Sequence, residues 1–415
     1  MSLENRAFPR ITVTKKAEDS LRAGHPWVYD AELTEGLPEE ETAYDGELVD
    51  VVSSKGRYLG TGFYNSHSKI RIRLISTNAN DRFDEAFWER RVRYCVDYRR
   101  TVMGEDFSCC RLIFGEADQF PGLTVDLFTD VLVVQTLSYG MERRKEVILP
   151  ALVRILAEYG TVVKGVYERN DNALRIREGL TQGQGFFPVP GLSPDPAWQE
   201  TEICENGIIY KVDFVNGQKT GFFLDQKYNR KAIWPIAKGR KVLDCFTHTG
   251  SFALNAAKAG ALHVTAVDIS QEAVDMARAN AIRNGLEGNM DFVTADVFDL
   301  LTKMDEEGHR GEYDFIILDP PAFTKSRKTV ESAMRGYKQI NLRAMRLLPR
   351  GGYLATASCS HFMENELFKK MLKAAAKDAG VSLRQIECRS QGPDHPILWN
   401  VPETDYLKFY LFQIV

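Results

Sequence analysis

The chain has 415 residues, of which 44% are hydrophobic and 27% are charged, and its formal net charge is −4. This composition predicts a folded protein of two or three domains and excludes a largely disordered chain. The negative charge argues against a protein that coats nucleic acid by bulk electrostatics and leaves local basic patches open. The apolar runs are far shorter than the roughly 20 residues that a membrane span needs. The polar start predicts no signal peptide.

Seven cysteines occur in the chain, and no two of them form a CxxC pair. This usage predicts neither a disulfide framework nor a zinc site. We therefore expect no bound metal and a reducing compartment, the cytoplasm.

The first two segments differ in their pattern of strands and helices. Residues 1–75 alternate turn signals with short β-type runs, which predicts a small β-rich domain. Residues 76–185 combine further strands with helical patterns near residues 83–103 and 142–159. The second segment is therefore predicted to be a mixed α+β domain.

The third segment, residues 186–415, begins with a hairpin signal and then changes its pattern. Asn206-Gly207 stands between two β-type runs, which is typical of a tight hairpin turn. Strands and helices then alternate, and the strands read KVLDCF, HVTAVDIS, MDFVTAD, YDFIILDPP and GGYLATASCS. This alternation predicts an α/β domain built from βαβ units, with its chemistry at the carboxyl ends of parallel strands.

Acidic residues end three successive strands of this segment. Asp244 precedes a turn that reaches Gly250, Asp268 ends the second strand, and Asp296 ends the third. Each acid alone reads most simply as a helix cap, but together they predict a nucleoside-cofactor site. Because the turn lacks GxGxxG, we expect a ligand with a cationic group and no phosphate, such as S-adenosylmethionine. Asp268 would accept from ribose hydroxyls, and Asp296, beside Val297, from an adenine amino group.

The fourth and fifth strands of this segment end in a carboxylate and in a thiol. The fourth strand ends at Asp319, and two prolines follow it and predict a rigid turn that fixes this carboxylate over the cleft. The last strand ends in LATASCSH, which places Cys359 between two serines. A free cysteine is most often a small buried residue, so its neighbours in space must decide whether this thiol has a function.

Motifs along the whole chain resemble those of a known family. LDCFTHTG, AVDIS, LDPPAF and ATASCS, in this order, resemble the motifs of class I S-adenosylmethionine-dependent methyltransferases. GHPWVYD, GRYLGTGFYN and GQKTGFFLDQKYNR resemble a narrower group, the RNA methyltransferases with an N-terminal PUA domain, which includes bacterial large-subunit rRNA cytosine-C5 methyltransferases. The resemblance implies a PUA-like RNA-binding domain (1–75), a central α+β domain (76–185) and a Rossmann-like methyltransferase domain (186–415).

The resemblance also implies a cofactor, a substrate and an assembly state. The cofactor is S-adenosyl-L-methionine, the substrate is RNA, most specifically 23S rRNA, and the enzyme is a homodimer. The positions of this chain that match the cofactor-binding motifs are Phe223, Gln226, Asp244, Phe246, Thr249, Gly250, Asp268, Ile269, Asp296 and Val297.

The same resemblance makes Cys359 the nucleophile and Asp319 its catalytic partner. C5 of cytosine is a weak nucleophile, and addition of a thiolate to C6 converts C5 into an enamine-like carbon. Asp319 could then bind the N3–N4 edge of the base. Enzymes of the two-cysteine type carry a second cysteine after the prolines, whereas this chain has Ala322 there. We therefore expect a single-cysteine mechanism, in which the sequence does not identify the base that removes the C5 proton.

The region after Asp319 is rich in basic residues. Between residues 320 and 350 there are eight Lys or Arg residues and one acid. We expect Lys325, Arg327 and Lys328 to bind RNA phosphates around an extruded base. A solvated helix face explains Arg343 and Arg346 equally well.

Two other functions remain open from the sequence. The same fold could methylate an exocyclic amine of guanine or adenine, with the Asp319 turn and Phe323 holding the amino group and no thiolate needed. The chain could instead be a non-catalytic RNA-binding or assembly factor, although three intact cofactor acids argue against this reading.

Overall fold

The computed structural model describes residues 6–36, 40–324 and 326–415. The chain divides into two compact units. The first contains the chain up to Ile203 together with Val212–Leu224 and Pro393–Thr404. The second contains Cys204–Lys211, Asp225–Gly392 and Asp405–Val415.

The first unit begins with a sheet of strand order β2-β6-β5-β4-β1-β3. Its hydrophobic residues pack around helix α1, and Ile11, Val51 and Ile72 are fully buried. The elements are β1 (Arg10–Val13), α1 (Lys15–Arg22), β2 (Trp27–Tyr29), β3 (Leu33–Glu35), β4 (Leu48–Ser53), β5 (Tyr58–Tyr64) and β6 (Ile70–Ser76).

The first unit also holds a second sheet, of order β11-β10-β9-β8-β7. Strands β9 and β10 run parallel, and the other neighbours run antiparallel. The elements are α2 (Glu85–Met103), β7 (Cys109–Phe114), β8 (Leu123–Phe128), β9 (Val131–Thr136), α3 (Tyr139–Glu142), α4 (Lys145–Glu158), β10 (Gly165–Asn170), α5 (Leu174–Arg177) and β11 (Gly183–Phe186).

A hairpin follows, made of β12 (Glu200–Glu205) and β13 (Ile208–Asp213). Asn206 and Gly207 form its turn with φ of 55° and 72°. Two successive left-handed residues are what a tight hairpin turn requires, so the predicted turn is confirmed together with its physical reason.

The second unit is built on a sheet of order β16-β15-β14-β17-β18-β20-β19. Strands β14 to β18 pair in parallel, and β20 pairs antiparallel with both β18 and β19. The strands are β14 (Lys241–Cys245), β15 (His263–Asp268), β16 (Met290–Thr294), β17 (Phe315–Leu318), β18 (Tyr353–Ser358), β19 (Leu383–Arg389) and β20 (Lys408–Ile414).

Helices cover both faces of this sheet. Successive strand residues point to opposite faces, and Leu243 and Cys245 share a core cluster with residues of α10, α11 and α12. Helices α8 and α9 contact strands β14, β15 and β16. The helices are α6 (Lys227–Ala232), α7 (Trp234–Ala237), α8 (Ser251–Lys258), α9 (Gln271–Arg283), α10 (Val297–Glu307), α11 (Val330–Leu347) and α12 (Asn365–Ala379).

The α/β fold class expected from the sequence is confirmed. The five strands read from the alternating pattern all form, in parallel, in the second unit. The antiparallel strands β19 and β20 were outside that reading, because β20 pairs with β18, and β19 with β20, only after the chain returns past α12. The expected helices at 83–103 and 142–159 form at Glu85–Met103 and Lys145–Glu158. None of the helices in the described ranges has the length and hydropathy that a membrane crossing requires.

A buried ion pair fixes helix α6 in the second unit. The Arg230 guanidinium donates to both carboxylate oxygens of Glu205, at 2.5 and 2.7 Å, and both side chains are excluded from solvent. In a bidentate pair of this kind, the attraction between the two charges offsets the cost of burying them. Loss of either partner leaves the other charge buried without compensation. The pair therefore fixes the helix that directly follows Gln226.

We expect Glu205→Ala to lower the free energy of unfolding by about 3–5 kcal/mol, because it leaves a buried guanidinium without its carboxylate. Urea denaturation measures this loss. The double variant Glu205→Met/Arg230→Met should regain most of it, and the exposed control Glu366→Ala should stay within about 0.5 kcal/mol of wild type. A loss below about 1 kcal/mol for Glu205→Ala would contradict the assignment.

Candidate active site

Polar side chains gather where neighbouring parallel strands end. In the order β15, β14, β17 and β18, these strands carry Asp268, Asp244, Asp319 and Cys359 at or next to their carboxyl ends. The backbone N–H of Asp319 donates to the carbonyl of Cys245, at 3.5 Å, which draws the ends of β14 and β17 together. The structure thus brings three acids and the thiol predicted from the sequence to one edge of the sheet.

The turn between β14 and α8 follows a strained path. Phe246, His248 and Gly250 have φ of 65°, 50° and 80°, a region that side-chain-bearing residues rarely adopt. A Cβ atom on Gly250 would lie 2.5 Å from Leu254 Cδ1 and 2.9 Å from Ala277 Cβ. Glycine is therefore required here for α8 and α9 to pack closely.

Asp244 lies beneath this turn and is only 1% exposed. Its Oδ2 accepts from Thr247 Oγ1 at 2.6 Å and from the Ala253 N–H at 2.9 Å. Its Oδ1 and the hydroxyl of Thr249 are buried and have no hydrogen-bond partner among the described residues. Two buried polar atoms in one turn carry a desolvation cost that a bound ligand with donor groups would relieve.

Electrostatics at this edge favour a cation. Burial, together with the nearby negative charges of Asp319 and Asp268, raises the pKa of Asp244 to about 7. A positively charged ligand would stabilise the ionised carboxylate and relieve the repulsion among the three acids. The site is therefore suited to a cationic ligand rather than to a phosphate.

Asp268 is oriented by the loops on either side of it. Its Oδ2 accepts from the His248 N–H at 2.9 Å, and its Oδ1 accepts from the Ser270 N–H at 3.0 Å. Ile269, directly after it, is 67% exposed and offers an apolar surface at the same edge. The carboxylate can accept from a pair of sugar hydroxyls, and the apolar side chain can pack against a flat ring beside the sugar.

Asp296 and Val297 have clear structural roles. Asp296 Oδ1 accepts from the N–H groups of Phe298 and Asp299, at 2.7 and 3.4 Å, and so caps helix α10. Val297 is 2% exposed and belongs to the core. Contact of either residue with an adenine ring stays a prediction.

A chain of amide hydrogen bonds orients Asp319. Gln226 Nε2 donates to Asp319 Oδ1 at 2.9 Å. Asn229 Nδ2 in turn donates to Gln226 Oε1 at 2.6 Å, and Arg389 Nε donates to Asn229 Oδ1 at 3.1 Å. Gln226, predicted as a cofactor residue, therefore also positions the predicted catalytic acid.

The two serines flanking Cys359 share one partner. Ser358 Oγ donates to the hydroxyl of Tyr337 at 3.0 Å, and that hydroxyl lies 3.0 Å from Ser360 Oγ. The Cys359 thiol is half-exposed, and its Sγ lies 4.0 Å from the carbonyl oxygen of Pro320. The serines thus turn inward and hold the loop, while the thiol lies beside the proline turn that follows Asp319.

Tyr337 was missed by sequence reasoning. It is fully buried on helix α11, and its ring packs against Phe323 and Phe368 at centroid distances of 4.5 and 5.7 Å. Burial raises the pKa of its hydroxyl, which therefore stays protonated and can donate. In the sequence it occupies a helical core position next to Ala333 and Ile340, so only the polar serines at the end of a buried strand could have signalled a partner.

The basic residues after Asp319 fall into two groups. Arg343 and Arg346 both pair with Asp305, as the reading of a solvated helix face anticipated. Arg327 and Lys328 are exposed at the turn before α11, and neither has an ion-pair partner among the described residues. These two charges are available to an anionic partner.

The remaining predicted residues are Lys325 and Phe223. Lys325 falls outside the described residues. Phe223 belongs to the first unit, where it is half-buried and the Lys219 ammonium lies 4.3 Å from its ring centroid. The expected role of each stays a prediction.

Comparison with known proteins places this site in a family. Residues 11–77 match a PUA-like domain, and residues 186–413 match the S-adenosylmethionine-dependent methyltransferases. Ribosomal RNA large subunit methyltransferase I of Klebsiella pneumoniae (strain 342) is 39% identical over 410 residues, which cover 98% of this chain and 99% of that protein. This chain belongs to the same family. The protein of that name from Aeromonas salmonicida (strain A449) is 40% identical over 402 residues, covering 96% and 97% of the two chains.

Solved structures support the fold. A chain from Streptococcus mutans described as an S-adenosylmethionine-dependent methyltransferase aligns with a TM-score of 0.79 at 22% identity. A methyltransferase crystallised with SAH aligns with a TM-score of 0.81 at 23% identity. Each alignment covers 98% of this chain and 100% of the other. The fold is therefore that of an S-adenosylmethionine-dependent methyltransferase with a PUA-like domain and a Rossmann-like catalytic domain, as the motifs indicated.

The residues at the sheet edge fit this cofactor. S-adenosylmethionine carries a sulfonium, an amino group and ribose hydroxyls, and all of these need anionic or accepting partners. Asp244 Oδ1 and Thr249 Oγ1 are buried atoms of that kind without another partner among the described residues. Asp268 and Ile269 supply an oriented carboxylate and an apolar surface beside them.

We expect the affinity for S-adenosylmethionine to rise by up to about tenfold per pH unit between pH 5.5 and 7, and then to level off. A raised pKa means that Asp244 is neutral below about pH 7 and becomes an anion above it, and only the anion attracts the cationic cofactor. Isothermal titration calorimetry measures the trend. Asp244→Asn should flatten it, whereas the exposed control Asp299→Asn should keep it. A pH-independent wild-type affinity would refute the role of Asp244.

We expect Tyr337→Phe to reduce kcat about tenfold and leave KM for the cofactor unchanged, because it frees the Cys359 loop without touching the acids. The loss of two buried hydrogen bonds should also cost about 1–3 kcal/mol of stability. Steady-state methylation kinetics and thermal denaturation measure the two effects. Tyr313→Phe, which removes a hydroxyl bonded to Thr265 elsewhere in the same unit, is the matched control. A wild-type kcat in Tyr337→Phe would show that the hydrogen bonds from Tyr337 to Ser358 and Ser360 are not needed for the reaction.

Proposed function

We propose that this protein methylates C5 of a cytosine in large-subunit ribosomal RNA, the 23S rRNA, through a covalent adduct between Cys359 and C6 of the base. The observation that carries the proposal is the position of the thiol. Cys359 directly follows strand β18, at the same sheet edge as the three acids, and is half-buried with its Sγ 4.0 Å from the carbonyl oxygen of Pro320. The names of the family relatives support the choice of RNA.

A thiolate is needed because C5 of cytosine is a poor nucleophile. When bound, the cofactor supplies a methyl group that its sulfonium makes electrophilic. The Cys359 sulfur donates an electron pair to C6, and the C5=C6 pair moves to C5, which takes the methyl group as the bond from that methyl to the sulfonium sulfur breaks and neutral S-adenosylhomocysteine leaves. A base removes the C5 proton, the C5=C6 bond re-forms, and the Cys359 sulfur leaves with its electron pair. The base then passes the proton to solvent, and the enzyme returns to its starting state.

Asp319 orients the base in this proposal. Its carboxylate is held by Gln226, which Asn229 holds in turn, so it cannot rotate freely. A fixed carboxylate at the same sheet edge as the thiol is suited to accept from the exocyclic amino group of cytosine, and in its protonated form it donates to N3 as negative charge develops there. Ala322 in place of a second cysteine supports a mechanism with Cys359 as its single thiol.

The substrate side of the proposal rests on charge. Arg327 and Lys328, with Lys325, are proposed to bind phosphates next to the extruded base. We also propose the division into domains at 1–75, 76–185 and 186–415, a homodimer, and action in the cytoplasm.

The experiment supplies labelled S-adenosylmethionine and rRNA from a strain that lacks the enzyme, and identifies the labelled nucleoside. Wild type should give 5-methylcytidine, and Cys359→Ala should fall below about one thousandth of that rate, because no other group activates C5. The matched control Cys204→Ala removes another exposed thiol and should keep full activity.

RNA that contains 5-fluorocytidine provides a second readout. Fluorine at C5 cannot be lost as a proton, so the adduct should persist as a slow band on a denaturing gel for wild type and Cys204→Ala, and be absent for Cys359→Ala. Label in a methylated purine, or full activity in Cys359→Ala, would support methylation of an exocyclic amine instead. Absence of cofactor binding would point to a non-catalytic factor.

A further inference from the structure

A buried lysine lies directly behind the proposed nucleophile. Lys408 begins strand β20 and pairs across the sheet with Ser358, the residue before Cys359. It is only 6% exposed, and its Nζ donates to the carbonyl oxygens of Ser360 and Tyr406, each at 2.8 Å. A lysine ammonium is rarely buried, because it loses the hydration of a full charge.

The surroundings of Lys408 do not neutralise this charge. It forms no salt bridge with any carboxylate in the described part of the chain. The titratable groups that face it are Asp405 from its own loop, Glu364 from the start of α12, and Cys359 from the end of β18. Burial is the largest effect on this side chain and lowers its pKa to about 8. The ammonium is therefore still the main form at neutral pH.

The loop that carries Cys359 is held from two sides. The hydroxyl of Tyr337 binds the side chains of Ser358 and Ser360, and Lys408 binds the carbonyl of Ser360. The thiol between the two serines consequently stays near a fixed positive charge. A cation close to a cysteine favours the thiolate over the thiol.

We propose that Lys408 is a positioning residue that stabilises the thiolate of Cys359, both before it adds to the base and when it leaves. The inference rests on the proposed role of Cys359 as the nucleophile.

The hydrogen bonds of Lys408 argue against a direct role as the base that removes the C5 proton. Nζ acts as a donor to two carbonyl oxygens, which favours the ammonium form. An ammonium has no lone pair with which to accept a proton. Lys408 therefore acts on the reaction through its positive charge and not by accepting a proton.

The test measures the pH dependence of Cys359 alkylation by iodoacetamide in the full-length protein, with the modified peptide quantified by mass spectrometry. Wild type should show a midpoint below the ordinary thiol pKa of about 8.5. Lys408→Met should raise the midpoint by at least about one pH unit, which lowers the rate near pH 7 about tenfold. Lys408→Arg keeps the charge and should stay close to wild type. The exposed control Lys370→Met should be unchanged.

A purely structural lysine predicts a different result. Lys408→Met would then lower the melting temperature and leave the alkylation midpoint where it was, and this outcome would overturn the inference. If Lys408→Met does not fold, the comparison of Lys408→Arg with wild type decides: a midpoint above 8.5 in both proteins would also overturn it.

The inference and the proposed function can fail separately. Formation of 5-methylcytidine by Cys359→Ala would refute the adduct chemistry, whatever the alkylation shows. Loss of 5-methylcytidine in Cys359→Ala together with an unshifted midpoint in Lys408→Met would refute the role of Lys408 alone.

Discussion

The parallel register of β15, β14, β17 and β18 is the constraint on which the rest of the site depends. Cys245 pairs with both Val267 and Leu318, and Leu318 pairs with Thr356. Strand ends aligned in this way place the three acids and the thiol along one edge. Because side chains alternate between the faces of a sheet, a slip of one residue would turn the core residues of a strand toward the wrong helices. The hydrophobic layers on both faces therefore fix the chemistry at the edge.

The site combines satisfied and unsatisfied polar groups, and the two have different consequences. Tyr337 and the serines on either side of Cys359 satisfy one another's hydrogen bonds, which holds the Cys359 loop in place. Asp244 and Thr249 keep buried oxygens without partners among the described residues, which makes the cofactor side receptive. Asp319 stands between these two groups in the strand order, and its carboxylate accepts from the amide of Gln226.

The basic residues after Asp319 also fall into two groups, those that pair with a carboxylate and those that are exposed. Arg343 and Arg346 on α11 both pair with Asp305 on α10 and so stabilise the packing of these two helices. Arg327 and Lys328 stay exposed at the turn before α11, within ten residues of Asp319 in the chain. Only charges that no internal carboxylate has already paired can contribute to binding an anionic polymer. A net charge of −4 is thus compatible with an RNA substrate.

The sequence by itself determined the α/β architecture, the five parallel strands along the chain and the residues at their ends, because strand periodicity, turn residues and strand-end acids are local signals. It could not reveal the contacts of Tyr337 and Lys408 with the Cys359 loop. These residues lie 23 and 48 positions from Ser360 in the chain, and they reach it only because α11 and β20 pack against β18. Read locally, Tyr337 is a core aromatic and Lys408 is a strand-end cation. Tertiary packing alone decided that both hold the Cys359 loop, since side chains distant in sequence meet only after the sheet has formed.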